Sequence, residues 1–135
     1  LDEIKRWSKF LSIRTNVKPK FFPPKDPHLP AKFTIAASLL GTKVIFGHEL
    51  LKQLWDEEKD ISDEKNIEII SNSFKINFKE LSDLAKSEKV SKIYANNTED
   101  AIEKNVFGAP TYIFNDELFW GQDRLEFLEL ALKNA

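Results

Sequence analysis

Apolar residues keep helical spacing through most of the chain before residue 105 and fall into strand-like runs only after it. Ile4, Trp7, Phe10 and Leu11 mark one face of an opening helix. Residues 12–30 then carry five of the six prolines, which remove backbone donors and push their predecessors out of the helical region, so this stretch reads as an extended connection. Helical spacing resumes near Ala31 with Phe33, Ile35, Ala36, Leu39 and Leu40, and Gly41 reads as the stop. Val44, Ile45, His48, Leu51, Leu54 and Trp55 form the apolar set of the next helix. Ser62, Asp63 and Glu64 read as a helix start, with a capping hydroxyl followed by carboxylates at the positive end of the dipole. Ile67, Ile69, Ile70 and Phe74 follow it. Asn77 and Glu80 have capping-box spacing ahead of Leu81, Leu84 and Ala85. Val90, Ile93, Tyr94, Ala101 and Ile102 carry a longer helix to Asn105, a residue type that tolerates the left-handed conformation after a helix end.

The last thirty residues have a different texture. Thr111, Tyr112, Ile113 and Phe114 are β-branched or aromatic, Asn115-Asp116 suits a two-residue turn, and residues 117–120 form the return strand. Gly121 permits a sharp bend before a closing helix with Leu125, Phe127, Leu128, Leu130 and Ala131. A lone two-stranded hairpin is marginal in water and wants further strands beside it. Residues 13–17 are the one other, weak, strand candidate, so the pattern leads us to expect a strand–helix–strand unit outside these 135 residues.

Composition narrows the function without naming it. The length suits one domain-sized chain with a real core. Twenty basic against 22 acidic residues, in no single-sign block, leave nucleic-acid binding unsupported. No apolar run approaches the ~18 residues of a membrane span. With no cysteine, these residues hold no disulfide, no zinc–thiolate site and no Cys nucleophile. His28 and His48 stand too far apart in pattern to suggest a metal pair.

Residues 107–111, Phe-Gly-Ala-Pro-Thr, and 119–124, Phe-Trp-Gly-Gln-Asp-Arg, resemble the C-terminal signature of 2-hydroxychromene-2-carboxylate isomerases, relatives of the kappa-class glutathione transferases. The resemblance extends more loosely upstream. Residues 2–7 are similar to that family's Asp-x-x-Arg-Trp helix with one extra residue, Phe22-Pro23 to its Phe-Pro, and residues 55–62 to its Trp…Asp-Ile-Ser run. It implies an α/β fold, a DsbA-like thioredoxin core with an all-helical insertion. Residues 1–105 would be mainly that insertion, and 106–135 the closing strand–strand–helix of the core.

The resemblance also implies glutathione as cofactor, a small aromatic or carbonyl substrate, a cytoplasmic enzyme and a homodimer among its assemblies. Pro110 would follow a cis bond and turn the backbone of Ala109 toward the cysteinyl part of glutathione, whereas pattern alone reads an ordinary trans proline opening an edge strand. Asp123 would accept from the γ-glutamyl ammonium, with Gln122 or free backbone N–H groups on its carboxylate; by itself Asp123 reads equally as a helix cap. Phe22, Pro23 and Trp120 would wall the substrate, while Phe119 or Trp120 must be plain core because strand neighbours face opposite ways. The catalytic serine of the isomerases is expected outside this chain. A DsbA-type disulfide oxidoreductase, with its Cys-x-x-Cys likewise elsewhere, a kappa-class glutathione transferase and a non-catalytic truncated paralogue are the competing readings.

Overall fold

The computed structural model describes residues 1–42 and 44–135. In order they form α1 (Asp2–Phe10), α2 (His28–Leu39), α3 (Ile45–Trp55), α4 (Glu64–Ser73), α5 (Phe78–Ala85), α6 (Glu88–Glu103), β1 (Thr111–Phe114), β2 (Glu117–Trp120), a 3-10 turn (Gln122–Arg124) and α7 (Leu125–Lys133). The chain divides into two compact units, Leu1–Ala95 and Asn96–Ala135, with the division inside α6.

In the first unit α2 lies against α3 and α5, and α4 lies against the same two helices. Phe33, Phe46, Ile67, Ile70, Leu81 and Val90 fill the space between them and are almost wholly withdrawn from water. Phe33 stacks parallel to Phe78 at 6.1 Å, and Phe46 meets Phe74 at 5.6 Å. Burying side chains of this size contributes roughly 1.5–3 kcal/mol each.

Local signals set the helix ends. Asn77 Oδ1 accepts from Glu80 N at 3.0 Å, capping α5. Asn105 takes φ 57° after α6, where Val106 N donates to Ala101 O and Asn105 N to Ile102 O, the paired bonds of a Schellman end. Gly41, at φ 99°, closes α2 in the same way through Thr42 N to Ala37 O and Gly41 N to Ser38 O.

Four expectations need correction. The second helix starts at His28 rather than Ala31, and Pro30 sits in its first turn, where a missing N–H costs nothing. Helix α3 turns Phe46, Leu50, Gln53 and Leu54 inward and leaves Val44, Ile45 and Leu51 exposed. It carries two apolar stripes, and the one bearing the bulky Phe46 wins the interior. The cap of α4 is Asp63, which accepts from Lys65 N at 3.0 Å. Ser62 instead fastens the proline-rich segment, accepting from Asp26 N at 3.1 Å and donating to Asp26 O at 3.2 Å. Residues 13–17 form no strand.

In the second unit β1 and β2 pair antiparallel in a two-stranded sheet, Thr111 opposite Trp120 and Phe114 opposite Glu117. Asn115 and Asp116, at φ 49° and 63°, make the mirror-image turn whose twist suits a hairpin. Helix α7 packs on both strands.

Candidate functional site

The sequence-predicted cofactor residues gather at the open end of the hairpin. Gly121 N donates to Pro110 O at 2.9 Å, which carries the strand pairing one step beyond Thr111 and Trp120. That bond sets Pro110 beside Gly121, so Ala109 on one side and Gln122 and Asp123 on the other leave the same edge. Proline has no N–H to complete the reciprocal bond. The Ala109–Pro110 peptide bond is cis, as is Phe22–Pro23. Ala109 is exposed, and its backbone groups have no partner among the described residues.

Gly121 is at φ 102°, a conformation that side chains rarely adopt. A Cβ there would also meet Asp123 Oδ1 at 2.5 Å. The glycine thus lets the Asp123 carboxylate fold back over the backbone bend. Arg124 holds the other oxygen, donating from NH1 to Asp123 Oδ2 at 3.0 Å. Neither the 3-10 turn nor α7 has a side-chain cap, so Asp123 does not spend its carboxylate on a helix end. The Asp123 side chain is 56% exposed.

Trp120 is half exposed, and its ring packs against Phe107 at 5.0 Å. Phe119, its strand neighbour, is the buried member of the pair. A Cβ on Gly108 would meet Trp120 Nε1 at 2.5 Å, so the indole lies where only a glycine leaves room. Thr111 Oγ1 donates to Gly108 O at 2.5 Å and pins the approach to Pro110. Sequence reading missed this part of Gly108; the glycine three residues before the first strand residue was its one visible trace.

Phe22 and Pro23 belong to the Leu1–Ala95 unit and are exposed. Phe22 packs on Trp55 at 5.0 Å, a contact across 33 positions that periodicity does not reveal. In the same unit His28 Nδ1 meets the Tyr94 hydroxyl at 2.8 Å, and neither residue stood out in the sequence as half of a pair. No helix among the described residues is long and apolar enough to cross a membrane.

The chain matches the DSBA-like thioredoxin domain over residues 1–133. A 2-hydroxychromene-2-carboxylate isomerase of Pseudomonas sp. (strain C18) is 43% identical over 53 residues, 39% of this chain and 25% of that protein. One from Pseudomonas putida is 51% identical over 39 residues, 29% of this chain and 19% of that protein. The matched stretches thus span a quarter of those relatives' length or less. A solved structure of 2-hydroxychromene-2-carboxylate isomerase aligns with a TM-score of 0.77 at 23% identity, covering 98% of this chain and 63% of that one. At that identity the likeness shows fold: helices with a small two-stranded sheet, in the DsbA-like thioredoxin manner. The chain belongs to the DSBA-like thioredoxin domain family.

Proposed function

We propose that these residues are the glutathione-positioning part of an isomerase similar to the 2-hydroxychromene-2-carboxylate isomerases. The observation that carries the reading is the Gly121–Pro110 bond, which gathers Ala109, Gln122 and Asp123 at one open edge of the hairpin. Bound there, glutathione would supply a thiol nucleophile for reversible addition to a conjugated carbon. The backbone of Ala109 pairs with the cysteinyl segment as an added strand. Asp123 accepts from the γ-glutamyl ammonium in a charge-assisted bond, and Gln122 with nearby N–H groups meets its carboxylate. Holding the tripeptide at two points fixes the sulfur, and such orientation accounts for a large share of rate gain in an addition of this kind. Trp120 supplies an apolar wall for the substrate.

The hairpin leaves Phe107, Trp120, Phe127 and Leu130 more than half exposed. In our reading further strands, and the serine that holds the thiol, come from residues other than these 135, and the protein acts on a small aromatic or carbonyl compound. The division into helical insertion and core segment would then fall near residue 105.

Calorimetric titration with reduced glutathione tests the proposal. We expect saturable binding that Asp123→Asn weakens about tenfold, the scale of one charge-assisted bond. Absence of binding, or an Asp123→Asn protein that binds like the parent, ends it.

A further inference from the structure

Within the Leu1–Ala95 unit a cavity of about 220 Å³ opens between the start of α2 and the end of α5. Phe33 and Ala85, both out of solvent, line its apolar part, and Asp26, His28, Lys32 and Lys86 supply its polar groups. It is smaller than the ~300 Å³ at which pockets for drug-sized molecules begin, so it suits an ion rather than an extended ligand.

The polar groups are tied to the scaffold. Asp26 N donates to Ser62 Oγ at 3.1 Å, and Asp26 Oδ1 accepts from His28 N at 2.9 Å and from Leu29 N at 3.2 Å. His28 Nδ1 meets the Tyr94 hydroxyl at 2.8 Å. Lys86 Nζ stands 2.8 Å from Glu64 Oε1 and donates to Oε2 at 3.0 Å, so its charge is already answered. Lys32 is different. It is half-buried, its ammonium donates to Ser91 Oγ at 3.4 Å, and it forms no ion pair among the described residues. A cation drawn partly out of water without a counter-charge is costly, and an anion in the cavity would offset that cost.

We infer that the cavity binds inorganic hydrogen phosphate. The ammonium of Lys32 is the main partner of its oxygens, and Lys86 adds the N–H that Glu64 leaves over. The Asp26 carboxylate lines the same space, and its Oδ2 has no donor among the described residues. A carboxylate there repels an anion whose oxygens carry no proton, and it accepts a hydrogen bond from one whose oxygen does. Doubly charged hydrogen phosphate still carries a P–OH, whereas sulfate and a fully charged phosphate monoester carry none. Asp26 thus makes the site selective among anions of similar size. The site is independent of the glutathione reading, which concerns other residues.

NMR titration of the full chain at constant ionic strength, above the second pKa of a monoester, separates these contacts with phosphate, sulfate and glycerol 1-phosphate. We expect phosphate to saturate one site, shifting the amides of His28, Lys32 and Lys86, with the other two anions weaker by about tenfold. Lys32→Met should weaken phosphate by a similar factor, Lys32→Arg should keep it, and glutathione titration should not change in either. Asp26→Asn retains Oδ1 for the α2 amides but turns the second oxygen into a donor, so sulfate should then bind as well as phosphate. Lack of saturation by phosphate, equal affinity for the three anions in the parent, a Lys32→Met protein that binds like the parent, or selectivity that survives Asp26→Asn would overturn the inference.

Discussion

Between Leu1 and Ala95, helices α2 to α5 close around Phe33, Phe46, Ile67 and Leu81, each fully out of solvent. Between Asn96 and Ala135, Phe119 is the buried apolar side chain among the described residues, while Phe107, Trp120, Phe127, Leu130 and Leu132 stay more than half exposed. The first unit is specified by side-chain volume. The second is specified by backbone chemistry: a mirror-image turn, a glycine at positive φ, and one bond from Gly121 to Pro110. Apolar burial and backbone geometry are separate sources of order, and they should fail separately.

The largest effect should come from emptying the first interior. Phe33→Ala removes a fully buried ring stacked on Phe78 and should cost about 3–5 kcal/mol, lost transfer energy plus the cavity left behind. Urea unfolding followed by far-ultraviolet circular dichroism measures it. A loss under 1 kcal/mol would mean that this helical interior is not what holds the unit together.

A smaller and more local effect is expected from Gly121→Ala. The new Cβ would collide with Asp123 Oδ1, and a non-glycine residue would be forced to φ 102°. The strain is on the order of 1–3 kcal/mol. It should appear as faster hydrogen exchange at the amides of Tyr112 and Phe119, with the Phe33 interior undisturbed. If urea unfolding of the helices shifted as much as hairpin exchange, the contrast between the two units would collapse.

That contrast also explains what could be read in advance. Asn77, Asn105 and Gly41 declared themselves because a cap needs only its own few neighbours. The hairpin was legible for the same reason, since Asn115-Asp116 and the flanking β-branched and aromatic residues act locally. The inward face of α3 was not legible. Ile45 and Leu51 are as apolar as Phe46 and Leu50, and which stripe is buried depends on α2 and α4. Ser62 misled for a related reason: its hydroxyl serves Asp26, 36 residues away, rather than its own helix. At the candidate site, Pro110 and Asp123 stood out by resemblance. The clearance that Gly108 gives Trp120, and the contact of Phe22 with Trp55, arise only in the folded chain.

The smallest effect lies on the surface of the volume-specified unit. Glu57 is held below the ordinary glutamate range mainly by the hydrogen bond from Lys59, whose Nζ stands 2.8 Å from Oε2, against an opposing desolvation cost. Lys52, at 3.5 Å from Oε1, adds to the lowering. A carboxylate with a folded pKa below its unfolded one binds fewer protons when folded. Its contribution is therefore complete above the ordinary glutamate value and is lost as pH falls through the lowered folded one. Lys59→Met should remove most of that dependence. The pair is solvated, so the difference should be slight, visible as a parent protein whose urea midpoint falls a little more steeply on acidification than the variant's. Identical slopes would mean that the pair forms no better in the folded chain than in the unfolded one. A steeper fall in the variant would reverse the sign and show that Glu57 pairs more strongly with another cation, such as Lys52, once Lys59 is gone.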